Sequence, residues 1–192
     1  MDQPASKQAM KLTLSALLSV CVIIGCTNEA EQIEADARTE SKMPDIKLAA
    51  DTFKRILKHY GDDVDPSKMP EAHRTVLAVF HSHGVLGNGG FQFLFEGDLT
   101  GDPHFQLTRE AYETIGADDS IAAFDKAYSV FPNSTPPKDM NQRLTIWQSN
   151  YNLADSVADD SSPDSLYFAS MDDAMQNLKR YIESNSDRFS DL

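Results

Sequence analysis

The stretch Gly84-Val-Leu-Gly-Asn-Gly-Gly-Phe-Gln-Phe-Leu-Phe-Glu96 decides the fold, because it joins backbone freedom to a group of aromatic side chains. It holds four of the nine glycines of the chain and three of its ten phenylalanines. Glycine reaches positive φ and allows another backbone to come close, at an entropic cost that most segments avoid. We therefore expect a sharp turn in this stretch, followed by a brief helix that buries Phe91, Phe93 and Phe95.

A known family is similar to the chain in this region. The similarity lies in Asn88–Phe95, Gly101–Asp102 and Ala111–Ala117, which resemble the signature of the bacterial DNA-mimic protein C-terminal-like domain. The residues that match its motif are Asn88, Gly89, Gly90, Phe91, Phe93, Phe95, Ile115 and Gly116. The resemblance covers approximately residues 48–189. It implies structural roles for the motif residues. It also implies DNA mimicry as an activity, in which carboxylates spaced like phosphates bind a DNA-binding protein in place of DNA.

Composition and charge limit the classes of protein to which the chain can belong. A length of 192 residues allows one domain of ordinary size. A hydrophobic content of 41% and a charged content of 24% are typical of globular proteins. The net charge of −13 argues against direct binding of nucleic acid, which uses clustered lysine and arginine. It also makes an anionic membrane surface an unfavourable partner for the folded part.

The N-terminus has the pattern of an export signal. Lys11 precedes the mostly apolar run Leu12–Ile24, which is shorter than the about 20 residues of a transmembrane helix but suits a signal peptide. Ile23–Cys26 resembles a bacterial lipobox, in which cleavage precedes the cysteine and a diacylglycerol is attached to its thiol. We therefore predict a lipoprotein signal peptide at residues 1–26 with Cys26 lipidated; the alternative is a general secretory peptide with an incidental cysteine.

The lipobox implies a place in the bacterial cell envelope, where the lipid on Cys26 would attach the protein to a membrane. Thr27 stands where an aspartate would be the usual cue for inner-membrane retention, so the resemblance implies sorting to the outer membrane. The precursor has three candidate start residues, Met1, Met10 and Met43. The predicted mature domain contains no cysteine, which excludes a disulfide or a thiolate metal site there.

Helical periodicity dominates the remainder of the chain. Residues 27–44 are polar and predict a flexible tether. Residues 45–192 show apolar positions at helical spacing, which predicts a single compact all-α bundle of about six to seven helices. The predicted helices run from Asp45 to Tyr60, Pro70 to His83, Phe91 to Phe95, Asp102 to Ile115, Asp118 to Phe131, Asn141 to Ala158 and Met171 to Asn185.

Residues at several of the predicted helix ends favour these boundaries. Asp102 and Pro103 form an N-cap followed by a first-turn proline, and Gly116 is a typical residue after a helix C-terminus. Ser170 with Asp173 predicts a capping arrangement for the last helix.

No catalytic, metal or cofactor site emerges from the motifs. His81 and His83 stand two apart and point to different faces of a helix, and no His-x-x-x-His or cysteine pattern accompanies them. Placement near a helix C-terminus, where the dipole favours histidine, is the simpler interpretation. The glycines lack the Lys-Ser/Thr pair of a phosphate-binding loop, and no serine stands in a nucleophile elbow.

The acidic residues are the most informative polar feature. A first run extends from Glu96 to Asp125 with Arg109 as its one basic residue, and a second extends from Asp155 to Asp173. One interpretation is a solvated surface; the other is a surface that recognises a basic protein. Under the second interpretation, the predicted partner-binding residues are Glu96, Asp98, Asp102, Glu110 and Glu113.

Three classes of function follow from these features. The first is a lipid-anchored, non-enzymatic acidic binding module of the envelope that recognises a basic protein. The second is an immunity or inhibitor protein that neutralises a basic toxin. A cytoplasmic DNA mimic would require an internal start, for example at Met43, because an exported protein does not meet transcription factors. The third class is a hydrolase that uses paired carboxylates.

Overall fold

The chain folds into helices alone in the part that the structure describes. The structure, a computed structural model, describes residues 46–61, 64–151 and 159–192. The helices are α1 (Lys47–Tyr60), α2 (Glu71–Glu96), α3 (Gln106–Thr114), α4 (Asp118–Tyr128), α5 (Met140–Asn150) and α6 (Pro163–Ser184). These six helices confirm the all-α prediction. The predicted signal peptide and tether lie outside the described residues, and none of the described helices has the length and apolarity to cross a bilayer.

The longest of the described helices, α2, stands at the centre of the bundle. It packs against α1, α3, α5 and α6, while α4 packs against α3 and α6. Aromatic rings fill the space between them: the Phe91 ring centroid lies 5.2 Å from that of Phe124, and the Phe95 centroid lies 4.9 Å from that of Trp147. Both phenylalanines are fully buried. Large aromatic side chains in edge-to-face contact make such a core stable without cysteines.

The break in α2 lies later than the sequence predicted. The helix continues through His83, Gly84 and Gly87, and its backbone leaves helical geometry at Gly89 (φ −160°, ψ 18°) and Gly90 (φ 65°, ψ −161°). The prediction that the helix ends at His83 is therefore wrong. A glycine costs a helix only about 1 kcal/mol relative to alanine, which the packing of α2 against its neighbours outweighs.

The prediction that Phe93 is buried is also wrong. Phe91, Leu94 and Phe95 follow helical spacing, so they share one face, and all three are buried. Phe93 lies on another face of the same helical segment and is 49% exposed. The motif residues Asn88 and Phe93 therefore lie at the surface, whereas Gly90, Phe91 and Phe95 lie inside.

Two helices begin away from their predicted first residues. Helix α3 begins at Gln106, after Phe105 in a left-handed conformation (φ 57°), and not directly after Asp102. Helix α6 begins at Pro163, where the Ser162 hydroxyl accepts a hydrogen bond from the Ser165 amide. The predicted start at Met171 is wrong because a proline in the first turn begins the helix eight residues earlier.

Ser170 has a different role from the predicted cap. It is buried in the interior of α6, and its hydroxyl lies 2.9 Å from the Ser120 hydroxyl on α4. Helix α5 ends at Asn150, and the rest of the segment predicted as its continuation, residues 152–158, lies outside the described residues.

The predicted end of α3 is confirmed. Gly116 has φ 69°, and its amide donates to the Glu113 carbonyl oxygen at 3.0 Å. The Ala117 amide donates to the Tyr112 carbonyl oxygen at 3.0 Å. These two bonds form a Schellman motif, which requires a residue that tolerates positive φ. Ile115, just before Gly116, is buried against the core.

Candidate functional site

A glycine kink in α2, defined here as Gly89 and Gly90, is closed by an aspartate from a distant helix. Asp164 lies in the first turn of α6, and its Oδ1 accepts a hydrogen bond from the Phe91 amide at 2.8 Å. A Cβ atom at Gly90 would overlap this carboxylate. The φ and ψ of Gly90 also lie in a region that only glycine occupies readily. Two independent constraints therefore require glycine at position 90.

The other motif residues at the kink are structural as well. The Asn88 side-chain amide donates to the Gly84 carbonyl oxygen at 2.6 Å, so it satisfies the end of the helical segment before the kink. A Cβ atom at Gly89 would overlap the ring of Phe93, which therefore covers the backbone at this point. The arrangement explains why the motif joins two glycines to an exposed aromatic residue.

Burial raises the pKa of the Asp164 carboxyl above its ordinary value, and the hydrogen bond from the Phe91 amide opposes this shift. Asp164 is only 9% exposed. Its partner was not predicted, because the two residues stand far apart in the sequence. Its position directly after Pro163 was a signal that could have indicated a first-turn carboxylate.

Asp102, one of the predicted partner-binding residues, points inward. It is 4% exposed, and its Oδ1 accepts a hydrogen bond from the Leu107 amide at 2.9 Å. Its Oδ2 accepts from the Thr108 amide at 2.8 Å and from the Thr108 hydroxyl at 2.7 Å. Asp102 therefore caps the first turn of α3 from three residues before Phe105, which holds the N-cap position predicted for Asp102, and it does not belong to the acidic surface.

Arg143 on α5 is a residue whose role the sequence analysis missed. Its guanidinium is buried and donates to the carbonyl oxygens of Phe95 at 2.7 Å, Pro137 at 2.7 Å and Gly97 at 2.8 Å. It also lies 4.9 Å from the ring centroid of Phe105. Burial lowers the pKa of Arg143, and the nearby Asp98 carboxylate opposes that shift.

Arg143 thereby holds together the end of α2, the loop before α5 and the segment that precedes α3. A signal for this was present: Arg143 stands four residues before the buried Trp147, on the inward face of its helix.

The loop of residues 97–101 separates two clefts. The first, which we call the apolar cleft, has a volume of about 410 Å³. Its walls come from α1, α2, α3 and the loop, and its lining residues are Phe53, Leu57, Val64, Pro66, Leu77, Ala78, His81, Asp98, Leu99, Thr100, Asp102, Leu107 and Thr108. The second cleft, of about 460 Å³, lies on the other side of the loop, next to Lys138 and Arg143.

The remaining predicted partner-binding residues, Glu96, Asp98, Glu110 and Glu113, are all exposed. Asp98 lines the apolar cleft, and its Oδ1 lies 3.5 Å from Nη2 of Arg143. Glu110 does not line the cleft, but it stands one helical turn after Leu107, which does. Neither Glu96 nor Glu113 lines the cleft.

Glu113 belongs to an ion-pair group on the surface of α3 and α4. Its carboxylate lies 3.3 Å from Nη1 of Arg109, and Nη2 of Arg109 donates to Asp125 at 2.9 Å. Arg109, the one basic residue of the first acidic run, thus has two direct carboxylate partners, Asp125 and Glu113, and they raise its pKa.

The two acidic runs of the sequence meet at a groove between α4 and α6. This acidic groove, of about 350 Å³, is lined by Asp118 and Asp119 from the first run and by Asp173 from the second. Arg180 and Asn177 also line it. The structure thus joins carboxylates that stand about 55 residues apart in the chain.

In the part of the chain that the structure describes, the histidines do not form a metal-binding group. No group of three or more histidine, cysteine, aspartate or glutamate residues within the described ranges has metal-binding geometry. His81 is exposed at the edge of the apolar cleft, and desolvation lowers its pKa. His83 lies with Nδ1 3.3 Å from the Tyr167 hydroxyl.

His83 ends a chain of buried hydroxyls. The Tyr167 hydroxyl lies 2.9 Å from that of Tyr112, which in turn lies 3.2 Å from the Ser82 hydroxyl. Burial raises the pKa of Tyr112 to about 12 and also raises the pKa of Tyr167. Both phenols therefore stay protonated at neutral pH and act as hydrogen-bonding groups of the core.

The comparison with known proteins assigns the family. A model of the family described as DMP19-like protein matches residues 67–185, which extend from the turn before α2 to the end of α6. No curated protein and no solved structure matches the chain. The family match covers more than half of the chain and is consistent with the resemblance to DNA mimics drawn from the glycine-phenylalanine motif. The chain belongs to the DMP19-like protein family.

Proposed function

We propose that this domain is a non-catalytic binding module that recognises a basic protein surface through exposed carboxylates. The main support for the proposal is that the acidic residues fall into a buried set and an exposed set. Asp102 and Asp164 are buried and accept hydrogen bonds from backbone amides, whereas Glu96, Asp98 and Glu110 remain exposed. Exposed carboxylates in excess lower the stability of the fold by mutual repulsion, so their retention favours a role in recognition.

Family membership supports the same function. A DMP19-like protein that mimics DNA presents carboxylates where a nucleic acid would present phosphates. The net charge of −13 would attract a basic partner over a distance of about one Debye length, roughly 8–10 Å at physiological salt. Rim charges of this kind act mainly on the association rate, so the binding should weaken as salt increases.

A charge-neutral variant tests the proposal. Glu96→Gln, Glu110→Gln and Glu113→Gln are combined in one variant, and Glu183→Gln, Asp187→Asn and Asp191→Asn in a matched control that removes the same charge from exposed positions elsewhere. Binding of a partner captured from a cell extract is then measured against salt concentration. We expect the first variant to bind about tenfold more weakly and with a smaller salt dependence.

The control variant separates a local surface from overall charge. It should bind within about twofold of the wild type, because rim charges outside the interface contribute little. Equal weakening of both variants would show that overall charge alone attracts the partner. Binding that is independent of salt would contradict recognition of a basic surface.

Competition with duplex DNA separates two partner classes. A DNA-binding protein uses one basic surface for DNA and for its mimic, so duplex DNA should displace it from this domain. A basic toxin that the domain neutralises as an immunity protein would instead lose its toxic activity on binding. The first outcome favours a DNA mimic, and the second favours an inhibitor.

We also propose that the protein is attached to the envelope through a lipid on Cys26. The apolar run before Cys26 and the lipobox-like residues support this proposal. Mass spectrometry of the mature N-terminus should find a diacylated cysteine, and Cys26→Ser should release the protein from the membrane fraction. An unmodified cytosolic protein that starts at Met43 would instead favour a cytoplasmic DNA mimic.

A hydrolase that uses paired carboxylates is the remaining candidate. It would need a carboxyl group of raised pKa in a concave site. Asp164 has a raised pKa, but its Oδ1 already accepts the Phe91 amide, and it lines neither the apolar cleft nor the acidic groove. The binding module therefore accounts for more of the structure.

A further inference from the structure

The apolar cleft is a feature that the acidic surface alone does not explain. Phe53 and Leu57 of α1, Ala78 of α2 and Leu99 of the loop line it and are only partly buried against the core. These side chains therefore leave apolar area in contact with water, which costs free energy in proportion to that area. A concave apolar surface of this kind is typical of a site that is covered by a binding partner.

The polar groups of the cleft separate into two sets. Asp102 and Thr108 bind each other and the start of α3, so they have little capacity for a ligand. His81, Asp98 and Thr100 are exposed, which places them at the opening. The side chain of Asp98 is 78% exposed, and no described residue that lines the cleft is a lysine or an arginine.

Charge therefore selects among the possible occupants. Asp98 lies 3.5 Å from Arg143, but its side chain is 78% exposed at the opening, so its charge and the net charge of −13 would disfavour a fatty acid or another anionic ligand. A second copy of the chain would bring another net charge of −13 to the same surface. A segment that joins apolar side chains to lysine or arginine complements both the walls and the opening.

We propose that the apolar cleft receives a leucine-like or phenylalanine-like side chain from a basic segment of the partner protein. This inference rests on the proposed function and adds an apolar anchor to it. The basic residues that flank the anchor would pair with Asp98 and Glu110. The arrangement matches the usual anatomy of a binding hot spot, in which one or two apolar side chains fill a pocket and charged groups surround it.

The volume fits this occupant. About 410 Å³ lies near the lower end of the roughly 300–1,000 Å³ found for ligand pockets, so the cleft has room for one or two large side chains. The polar groups at the opening are all on one side of the lining, on α2 and the loop, which leaves the α1 side apolar. A partner segment would therefore lie with its basic residues towards the loop.

Three synthetic peptides test the inference on the full chain. The first is Arg-Lys-Leu-Ala-Ala-Leu-Lys-Arg, the second has serine for both leucines, and the third has glutamine for all four basic residues. Binding is measured by fluorescence anisotropy at two salt concentrations. We expect the leucine peptide to bind about tenfold more tightly than the serine peptide, because burial of one leucine side chain is sufficient for that difference.

Cleft variants assign this difference to the apolar cleft. Leu99→Gln makes one wall polar, and Ala78→Phe fills the cleft; each should reduce the preference for leucine to less than about twofold. Phe168→Gln is the matched control, because Phe168 is 45% exposed on α6 and lies outside the cleft lining. It should keep the tenfold preference. Circular dichroism and thermal unfolding of each variant show whether it is folded.

The outcomes distinguish the inference from the proposed function. Equal, salt-dependent binding of the leucine and serine peptides would overturn the inference and leave the acidic surface as the binding site. Equal binding of the glutamine and basic peptides would also overturn it, in favour of an uncharged apolar ligand. If none of the peptides binds at low salt, both the inference and the recognition of basic segments are contradicted.

Discussion

The molecule has two glycine-containing turns, the kink at Gly89–Gly90 and the loop of residues 97–101. Both depend on a buried aspartate, but only the loop lies beside open clefts. In both, a buried aspartate accepts the amides at the start of the next helical segment. Asp164 accepts one amide, that of Phe91, and comes from a distant helix. Asp102 accepts three hydrogen bonds, all from residues that closely follow it in the chain.

This difference indicates which of the two turns can bind a partner. At the kink, the Asp164 carboxylate and the Phe93 ring occupy the space that side chains at Gly90 and Gly89 would need, so the region is filled. The loop has the apolar cleft on one side and a second cleft on the other. We infer that the kink holds the bundle together and that the loop presents the binding surface.

The largest expected effect is at the kink. Gly90→Ala forces a Cβ atom into the Asp164 carboxylate and into a backbone conformation that only glycine adopts readily. Backbone strain of about 1–3 kcal/mol and the loss of the Phe91 hydrogen bond should together lower the free energy of unfolding by about 3–5 kcal/mol. Urea denaturation measures this change.

Gly87→Ala is the matched control for that variant. Gly87 is helical, and a Cβ atom there would lie 3.5 Å from Cε of Met171, which is an ordinary contact. The substitution should leave the stability unchanged or raise it by up to about 1 kcal/mol. Equal destabilisation by both variants would show that α2 tolerates no side chain along this face, and that the kink is not special.

The second effect concerns the loop. Arg143→Ala removes the donors to the buried Phe95 carbonyl oxygen and to the partly buried Gly97 carbonyl oxygen. We expect a loss of about 3 kcal/mol in the free energy of unfolding and faster amide hydrogen exchange in residues 97–101. Arg180→Ala, at an exposed position of α6, is the control and should change stability by less than about 0.5 kcal/mol.

Local features of the fold could be predicted from the sequence. Gly116 ends α3 because a Schellman motif needs positive φ, and this requirement is visible in a single residue. Asp102 was recognised as a residue that caps α3, although not its exact position, because its hydrogen-bond donors lie within the next six residues. The family motif could be recognised because its residues stand close together in the chain, although the position of the kink within it was not predicted.

Long-range features could not be predicted in this way. Asp164 caps a helical segment 73 residues earlier in the chain, and Arg143 binds carbonyl oxygens 46 and 48 residues away. The apolar cleft draws its walls from three helices and a loop. Helical periodicity shows which residues face inward, but it does not show where packed helices leave space. Thus Asp102 was placed on the surface, and the cleft was not foreseen.

The third prediction compares the two buried aspartates directly. Asp102→Asn replaces one accepting oxygen by an amide nitrogen, which would face the Thr108 amide and hydroxyl or the Leu107 amide. We expect a loss of about 2 kcal/mol, measured by thermal unfolding. Asp102→Ala, which removes both acceptors, should cost more. A loss below about 0.5 kcal/mol for both variants would contradict the capping role of Asp102.

The smallest effect is expected at Asp164 and depends on pH. Only Oδ1 of Asp164 has a donor among the described residues, so Asp164→Asn can keep that bond through its amide oxygen. Because burial raises the folded-state pKa above the ordinary 3.8, the native state binds more protons than the unfolded state from about pH 3.8 up to the raised pKa. Wild-type stability should therefore fall as pH rises through this window, whereas Asp164→Asn lacks this contribution.

The difference in the free energy of unfolding between wild type and Asp164→Asn should therefore change in favour of the variant as the pH rises from 3.5 to 7. Urea denaturation at several pH values measures this difference. Its change with pH is the informative quantity, because the asparagine amide nitrogen adds a cost that does not depend on pH. A change in the opposite direction would mean that the Phe91 amide and the start of the helical segment stabilise the charged carboxylate more than burial penalises it. Asp164 would then resemble Asp102, whose carboxylate accepts three hydrogen bonds. The two turns would differ only in that the kink is filled, whereas the loop has a cleft on each side.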